Sequence, residues 1–171
     1  MKKIFQFVLT IILFTGCQHS STDYAVQWSR DIKRKIIEDV DISVDSTTID
    51  TTNGKVVTFY NKSIRTKQFR IYTSTQDTVV SIFYSKDQNF EIVRELCPGF
   101  ERSFEGIRYR GQHVGLAEFR FCDGKLKEQG LRFEGNVGVW KEWDEKGKVI
   151  KETDHGQTEK LDKLREITYY R

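Results

Sequence analysis

The sequence predicts a mainly β protein: an antiparallel β-meander of hairpin repeats with an N-terminal amphipathic helix and a short C-terminal helix. Three patterns predict it: glycines that recur about every 24 residues, alternating apolar runs joined by short polar turns, and one apolar stripe at helical spacing. The 171 residues fit one domain with terminal segments. The expected divisions are a signal peptide over 1–16, a lipidated cysteine and tether over 17–22, a helix over 23–40, a β-sheet over 41–157 with repeats at about 106–156, and a C-terminal helix over 158–171.

The first seventeen residues predict export. Two lysines precede an apolar run over residues 4–15, which is shorter than the roughly 20 residues that a membrane-spanning helix needs. The run fits the apolar region of a secretory signal peptide. Residues 13–17, Leu-Phe-Thr-Gly-Cys, resemble the lipobox of bacterial lipoproteins, which implies lipidation of Cys17. The alternatives are an ordinary signal peptide cut nearby or a buried N-terminal strand.

A lipidated Cys17 predicts a protein anchored in the bacterial cell envelope, because acyl chains bury many methylene groups in the bilayer. Gln18 is not the Asp that retains some lipoproteins in the inner membrane, so by analogy we expect the outer membrane, facing the periplasm. The formal charge is +3, and without Lys2 and Lys3 it is 26 minus 25, or +1. This balance argues against a nucleic-acid partner.

Cys97 and Cys122 remain when Cys17 is set aside. An exported protein meets an oxidising compartment, so an even remainder predicts one disulfide between them. The alternative is two buried free thiols that pack as small hydrophobic side chains.

The stretch 23–40 predicts an amphipathic helix, with Asp23 placed to cap it. Its basic residues lie outside the apolar stripe. Two interpretations stay open for this basic face: contact with anionic lipid near the anchor, or simple solvation on a helix that closes one end of a sheet. The stripe consists of Tyr24, Trp28, Ile32, Ile36 and Val40.

From Asp41 onward the pattern changes to strands joined by short turns, which indicates antiparallel neighbours. Asn53-Gly54 is typical of a type I′ hairpin turn. Leucine and isoleucine at helical spacing over 158–167 predict the closing helix. The predicted strands cover 42–44, 55–60, 69–73, 78–84 and 90–96.

The second half contains an internal repeat. Gly106 and Gly130 are 24 residues apart, and three further glycine pairs recur at 24 or 23 residues. On this spacing Leu116 corresponds to Trp140. Each unit reads as a strand, a tight glycine turn and a second strand, because glycine adopts positive φ without a Cβ clash. We expect the aromatic side chains to pack between neighbouring hairpins.

Residues 137–149, VGVWKEWDEKGKV, resemble the bacterial variant of the MORN repeat, whose core is G-x-W-x-x-(aromatic)-x-x-x-G-K-(aliphatic). Residues 111–126 resemble a degenerate copy, with Leu116 in the place of the Trp. The resemblance is clear over about 106–156 and implies an elongated antiparallel β-meander. Many bacterial members of this family are antitoxin-like or immunity-like, and some are lipoproteins.

No motif in the sequence supports catalysis. There is no nucleophile elbow, phosphate-binding loop or dinucleotide fingerprint. His19, His113 and His155 are scattered over the tether and predicted turns, without the spacing of a metal site. We expect no enzyme activity, no cofactor and no metal. The remaining alternative is a hydrolase whose two carboxylates meet only in the folded chain.

A basic and aromatic stretch precedes the repeats. Basic and aromatic stripes can bind nucleic acid, but the predicted export argues against a nucleic-acid partner. Two interpretations stay open: a binding edge for an acidic protein, or a solvated strand face. The stretch contains Lys62, Arg65, Lys67, Phe69, Arg70 and Tyr72.

Together these patterns predict a non-catalytic, lipid-anchored binding protein of the bacterial envelope. The sharper hypothesis is an immunity protein that binds an exported toxin and occludes it. Large aromatic side chains anchor protein interfaces, so the candidate binding residues are Tyr109, Phe133, Trp140 and Trp143. Packing between hairpins is the alternative role for these aromatics, and a structural envelope lipoprotein is the alternative function.

Overall fold

The computed structural model describes residues 20–41, 45–51, 54–61, 65–74, 79–98 and 101–170. Within these residues one α-helix precedes ten strands, and a 3-10 helix follows them. The elements are α1 Ser21–Glu38, β1 Asp45–Thr51, β2 Gly54–Tyr60, β3 Lys67–Ser74, β4 Val79–Tyr84, β5 Phe90–Leu96, β6 Arg102–Tyr109, β7 Gln112–Arg120, β8 Leu126–Phe133, β9 Asn136–Trp143, β10 Val149–Asp154 and the 3-10 helix Thr158–Glu166.

The ten strands form one sheet in sequence order, and every neighbouring pair is antiparallel. This order follows from short connections, which let each strand pair only with the one before it. The predicted fold class is therefore confirmed: a mainly β meander with a helix at each end. The predicted strand over 42–44 and the turn residue Asn53 lie outside the described residues.

Helix α1 begins two residues earlier than the sequence predicts. Ser20, not Asp23, is the N-cap: its Oγ accepts a hydrogen bond from the Asp23 amide at 3.1 Å and donates to the Asp23 carboxylate at 2.8 Å. This reciprocal pair satisfies an amide that the first helical turn leaves without a partner. The helix ends at Glu38, so Val40, the last residue of the predicted stripe, lies beyond the helix.

A serine fixes α1 on the sheet. Ser29 is fully buried, and its Oγ donates to the Ala25 carbonyl at 2.7 Å and accepts from the Leu116 amide at 2.8 Å. Gly115 lets the helix come this close, because a Cβ there would overlap the Ser29 hydroxyl. The contact thus satisfies a buried backbone amide and joins the helix to the middle of β7.

The two faces of the sheet differ in what covers them. The face toward α1, here called the covered face, buries an apolar cluster under Ala25, Trp28, Ile32 and Ile36 of that helix. The opposite face, here called the open face, holds a second cluster that contains no residue of either helix. The buried members of the open-face cluster are Ile82, Tyr84, Val93, Phe104, Ala117 and Trp140.

Hairpins β6–β7 and β8–β9 share one irregular register. In each, a single glycine of the first strand, Gly106 or Gly130, faces three residues of the second strand. The first hairpin has one residue more beyond this irregularity: six residues lie between the paired Ile107 and Val114, and five between the paired Leu131 and Val137. The structural counterpart of Trp140 is consequently Ala117, and the sequence match of Trp140 with Leu116 is wrong by one residue.

The C-terminal helix is shorter than predicted and has a different hydrogen-bond pattern. It is a 3-10 helix that ends at Glu166, followed by an extended segment to Tyr170. Leu161 and Leu164 are fully buried in the covered-face cluster, so they close the end of the core beside α1. In the described part of the chain, neither helix combines the length and the apolar character that crossing a membrane requires.

Candidate functional site

The four candidate binding aromatics do not form one surface. Tyr109 and Phe133 pack in the covered-face cluster, where the Tyr109 ring lies 4.9 Å from the Phe90 ring. Trp140 lies on the open face and is 3% exposed. Trp143 is partly buried opposite Val149 and belongs to neither cluster. Inter-hairpin packing therefore accounts for the positions of Phe133 and Trp140.

Trp140 shows how that packing works. Its indole lies flat over Gly130, where a Cβ would overlap the ring, and its Nε1 donates to the Leu131 carbonyl at 3.0 Å. The guanidinium of Arg132 lies 5.3 Å from the indole centroid and covers it. The pairing of Gly130 with Trp140 thus has a direct steric reason.

Two of the three cysteines are joined. Cys97 and Cys122 form a disulfide across 25 residues, with their Cα atoms 5.6 Å apart. Cys97 follows β5 and Cys122 follows β7, so the bond links two turns at the same end of the sheet. It restricts the unfolded chain and holds these turns together. Cys17, the predicted lipidation site, lies outside the described residues.

A buried ion network joins α1 to the covered face. Lys33 Nζ lies 2.8 Å from Glu105 Oε1 and 3.5 Å from Glu118 Oε2, on adjacent strands. Arg94 and Arg102 also bind Glu105, at 2.6 Å and 2.8 Å. Burial favours the neutral acid, but Lys33 and then Arg94 outweigh it and lower the pKa of Glu105 to about 2.

Two carboxylates therefore do meet in the folded chain, as the hydrolase alternative requires. Their surroundings do not suit acid–base chemistry, because a general acid needs a pKa near the working pH. Glu105 stays ionised at neutral pH and is 7% exposed, with three cations bound to it. The network therefore has a structural role: it holds α1 on the sheet.

The histidines are not brought together. His113 lies in β7, not in a turn, and its ring packs 5.9 Å from Phe104 on the open face. Burial, then Arg108 and Arg132, lower the pKa of His113. His155 follows β10 and contacts the edge of Trp140, while His19 is not described. Within the described ranges, no three His, Cys, Asp or Glu side chains are grouped as metal ligands.

A cleft of about 300 Å³ lies between α1 and the extended C-terminal segment. Its charged lining residues already have partners: Asp31 binds Arg34 at 3.1 Å, and Lys35 lies 5.9 Å over the ring of Tyr169, which also lines the cleft. The cleft therefore offers no convergent polar groups of the kind that fix a small ligand.

The basic and aromatic stretch is divided between the two faces. Phe69 lies on the covered side, with its ring 4.5 Å from that of Phe83. Arg65 is exposed and lies 3.8 Å from Asp45. Arg70 and Tyr72 remain on the open face, and Lys67 Nζ lies 5.7 Å from the Tyr84 ring. Lys62 is outside the described residues.

These side chains form a compact group on the open face, here called the tyrosine–arginine patch: Tyr60, Lys67, Arg70, Tyr72 and Tyr84. Burial alone would lower the pKa of Arg70, but a hydrogen bond to Tyr72 and the nearby phenols of Tyr84 and Tyr60 raise it. Burial also raises the pKa of Tyr84 to about 12. Both groups are therefore held in their ordinary neutral-pH charge states.

The sequence indicates only part of this patch. Arg70, Lys67 and Tyr72 are close in sequence, whereas Tyr60 and Tyr84 come from the strands on either side of β3. The three tyrosines recur every 12 residues, and this spacing is the sequence feature by which they could be recognised as one group. Strand register then decides whether such a spacing places side chains on one face.

Comparison with protein-family models and with curated proteins finds no match. The solved structures to which this chain is similar include two crystal structures of TarM. One is a mutant of S. aureus TarM in complex with fondaparinux, alpha-GlcNAc-glycerol and UDP (15% identity, 82% of this chain and 26% of that chain, TM-score 0.34). The other is TarM itself (14% identity, 78% and 27%, TM-score 0.26).

The chain spans about a quarter of the length of the TarM chains that it matches. Both TM-scores are too low to support an argument about fold or function. What the described residues define is an open, ten-stranded antiparallel meander with one face under helices and one face without them.

Proposed function

We propose that this protein is a non-catalytic binding protein, anchored to the bacterial envelope through Cys17, that binds a protein partner on the open face of its sheet. The observation that supports this most is that neither helix contributes to the cluster on the open face, which keeps partly exposed Tyr72, Val80 and Phe119 around it. The buried members of this cluster are at most 7% exposed, so a partner would meet the partly exposed side chains around them. Tyrosine and arginine at the edge of the open face are the residue types enriched in interface hot spots.

The proposed mechanism is occlusion. The sheet is held rigid by the ion network under α1 and by the disulfide between two of its turns. A rigid surface loses little conformational entropy when it binds, which favours affinity. In the sharper form of the proposal the partner is an exported toxin, and the bound sheet covers the surface that the toxin needs.

Photocrosslinking in the native cells tests the binding face. A photoreactive residue at Tyr72 reports on the open face, and one at the adjacent, exposed Thr73 is the matched control because neighbouring strand residues point to opposite faces. We expect a stoichiometric protein adduct from position 72 and none from position 73. Deletion of the gene should then sensitise the cell to that protein if it is a toxin.

Equal adducts from both positions, or only envelope components, would favour the second candidate, a structural envelope lipoprotein. The near-complete burial of Trp140 and Phe104, at 3% and 5% exposed, is the observation that favours it. Side chains so well packed against their own hairpins stabilise a scaffold and need no partner.

The anchor is tested separately. Cys17→Ser should remove acyl-chain labelling and shift the protein from the membrane fraction to the soluble fraction, because the acyl chains supply the membrane affinity. Cys97→Ser is the matched control and should keep both labelling and membrane association. Membrane association that persists without Cys17 would contradict the lipoprotein assignment.

A further inference from the structure

Arg70 occupies the centre of the tyrosine–arginine patch. Its Nε donates to Thr58 Oγ1 at 3.0 Å, and its Nη1 donates to the Tyr72 hydroxyl at 2.9 Å. Its guanidinium carbon lies 5.7 Å from the Tyr72 ring centroid. These contacts orient the guanidinium but leave its charge uncompensated, because both acceptors are neutral hydroxyl groups.

Three other partly buried arginines of the sheet are paired with carboxylates, whereas Arg132 lies over the Phe119 and Trp140 rings. Arg94 binds Glu105 at 2.6 Å, Arg108 binds Glu91 at 3.4 Å, and Arg120 binds Glu118 at 3.3 Å. In the described residues neither Arg70 nor Lys67 forms such a pair. A partly desolvated guanidinium gains most from an ionised oxygen acceptor, since charge-assisted hydrogen bonds are about twice as strong as neutral ones.

We propose that the tyrosine–arginine patch is the docking point for an acidic segment of the protein partner, in which an Asp or Glu carboxylate binds Arg70. This inference rests on the proposed binding function and specifies the partner's chemistry. The Tyr72 hydroxyl accepts a hydrogen bond from Arg70 and can donate its own proton to the carboxylate, and Tyr60 lies on the neighbouring strand opposite Lys67. The flat rings supply apolar contact to the rest of the segment.

The charge of the patch favours a protein over a polyanion. Membrane surfaces and other polyanions are bound by clusters of about four to eight basic residues. Here two cations, Arg70 and Lys67, lie among tyrosines, and the nearest basic neighbour along the chain, Arg65, is paired with Asp45. A protein segment with one or two carboxylates, and with apolar groups that can pack on the tyrosine rings, matches this arrangement.

A peptide selection tests the proposal without knowledge of the partner. The full-length protein in detergent is panned with a random dodecapeptide display library, and enriched sequences are synthesised for fluorescence-polarisation titration. We expect the enriched peptides to contain Asp or Glu, and their Asn or Gln counterparts to bind at least tenfold more weakly. This comparison leaves the protein unaltered, so it does not depend on the folding of a variant.

Protein variants locate the contact. Arg70→Met should lower the affinity for the acidic peptides at least tenfold. Arg70→Lys should lower it less, because lysine keeps the charge but loses the two parallel donors of the guanidinium. Arg110→Met is the matched control: Arg110 lies 5.1 Å from the Tyr109 ring in a turn beside the covered face and should leave affinity unchanged. Circular dichroism confirms that each variant is folded.

Several results would each count against part of the proposal. Amide peptides that bind as tightly as acidic ones, or peptides insensitive to Arg70→Met, would overturn the acidic docking point while leaving the open face as a binding surface. Selection of no peptide would also overturn it, since a preformed site should capture short acidic segments. Binding of anionic vesicles in preference to the peptides would reassign the patch to a membrane surface. Loss of the Tyr72 photoadduct in cells would instead count against the binding function itself.

Discussion

The two faces of the sheet bury aromatic side chains by different means. On the covered face Phe90 is fully buried because a second layer covers it, with Trp28 of α1 at 6.2 Å and Tyr169 of the C-terminal segment at 5.7 Å between ring centroids. On the open face Trp140 is nearly as buried without a second layer, because it lies flat on Gly130 under Arg132.

A sheet face without a second layer can therefore bury its largest rings and still present a surface. Glycine removes the side chain beneath the ring, and arginine covers the ring from above. What remains exposed is therefore polar and aromatic rather than purely apolar. The same face can consequently stabilise the repeats and carry a binding patch at another position.

The largest expected effect is a loss of stability on the covered face. Phe90→Ala should lower the free energy of unfolding by about 3 to 5 kcal/mol, because it leaves a cavity under α1 that the fixed helix cannot fill. The matched change on the open face is Phe104→Ala, which should cost less because side chains there can relax toward solvent. Urea unfolding followed by circular dichroism gives both values. Equal losses would show that the open face is covered as fully as the other.

The second prediction concerns the charges that hold α1 down. Glu105 has its pKa lowered from 4.5 to about 2, so it contributes stability above pH 4.5 and loses it as the pH falls toward 2. The shift corresponds to about 3 kcal/mol. We expect the unfolding free energy to fall over this acidic range, and Glu105→Gln to flatten that part of the curve.

Its control lies on the open face. Glu91 binds Arg108 at 3.4 Å and is more accessible, so Glu91→Gln should change the unfolding free energy by less than about 1 kcal/mol. A pH curve unaltered by Glu105→Gln would show that the network is not what couples helix to sheet.

The third prediction breaks the open face at its glycine. Gly130→Ala should cost about 1 to 3 kcal/mol, because the new Cβ meets the Trp140 indole. The cost should shrink in a Trp140→Leu background, where the smaller side chain can move aside. This coupling is measured as a double-mutant cycle. Additive losses would place the strain elsewhere than at the ring.

Elements of the fold that depend on local pattern can be predicted from the sequence. Alternation predicts β5 over 90–96 at its observed bounds, and the stripe at a spacing of four predicts α1. The even number of cysteines that remains when Cys17 is set aside, together with the predicted export, predicts the bond between Cys97 and Cys122. Each of these inferences uses neighbouring residues or the composition, and none needs the register between strands.

The assignment of side chains to faces depends on register and is where prediction from sequence stops. One extra residue between Ile107 and Val114 makes Ala117 the counterpart of Trp140, and a pairing register shifted by one residue would reverse the face of every side chain in the strand. Tyr109 and Phe133 lie on the covered face and Trp140 on the open face, an assignment that the spacing of the repeat does not supply. The tyrosine–arginine patch likewise exists only once β2, β3 and β4 are aligned.

The smallest expected effect tests the arginine that covers the open face. Arg132 lies 5.3 Å from the Trp140 ring and 5.6 Å from the Phe119 ring, and its Nε is buried without a hydrogen-bond partner. Arg132→Met keeps an apolar stem over the rings and removes the unpaired donor, so the loss of unfolding free energy should stay below about 1 kcal/mol. Arg132→Ala uncovers the indole and should cost more in the same urea titration. If the two variants are equally stable, packing between hairpins alone buries Trp140, and the cover that distinguishes the open face is unnecessary.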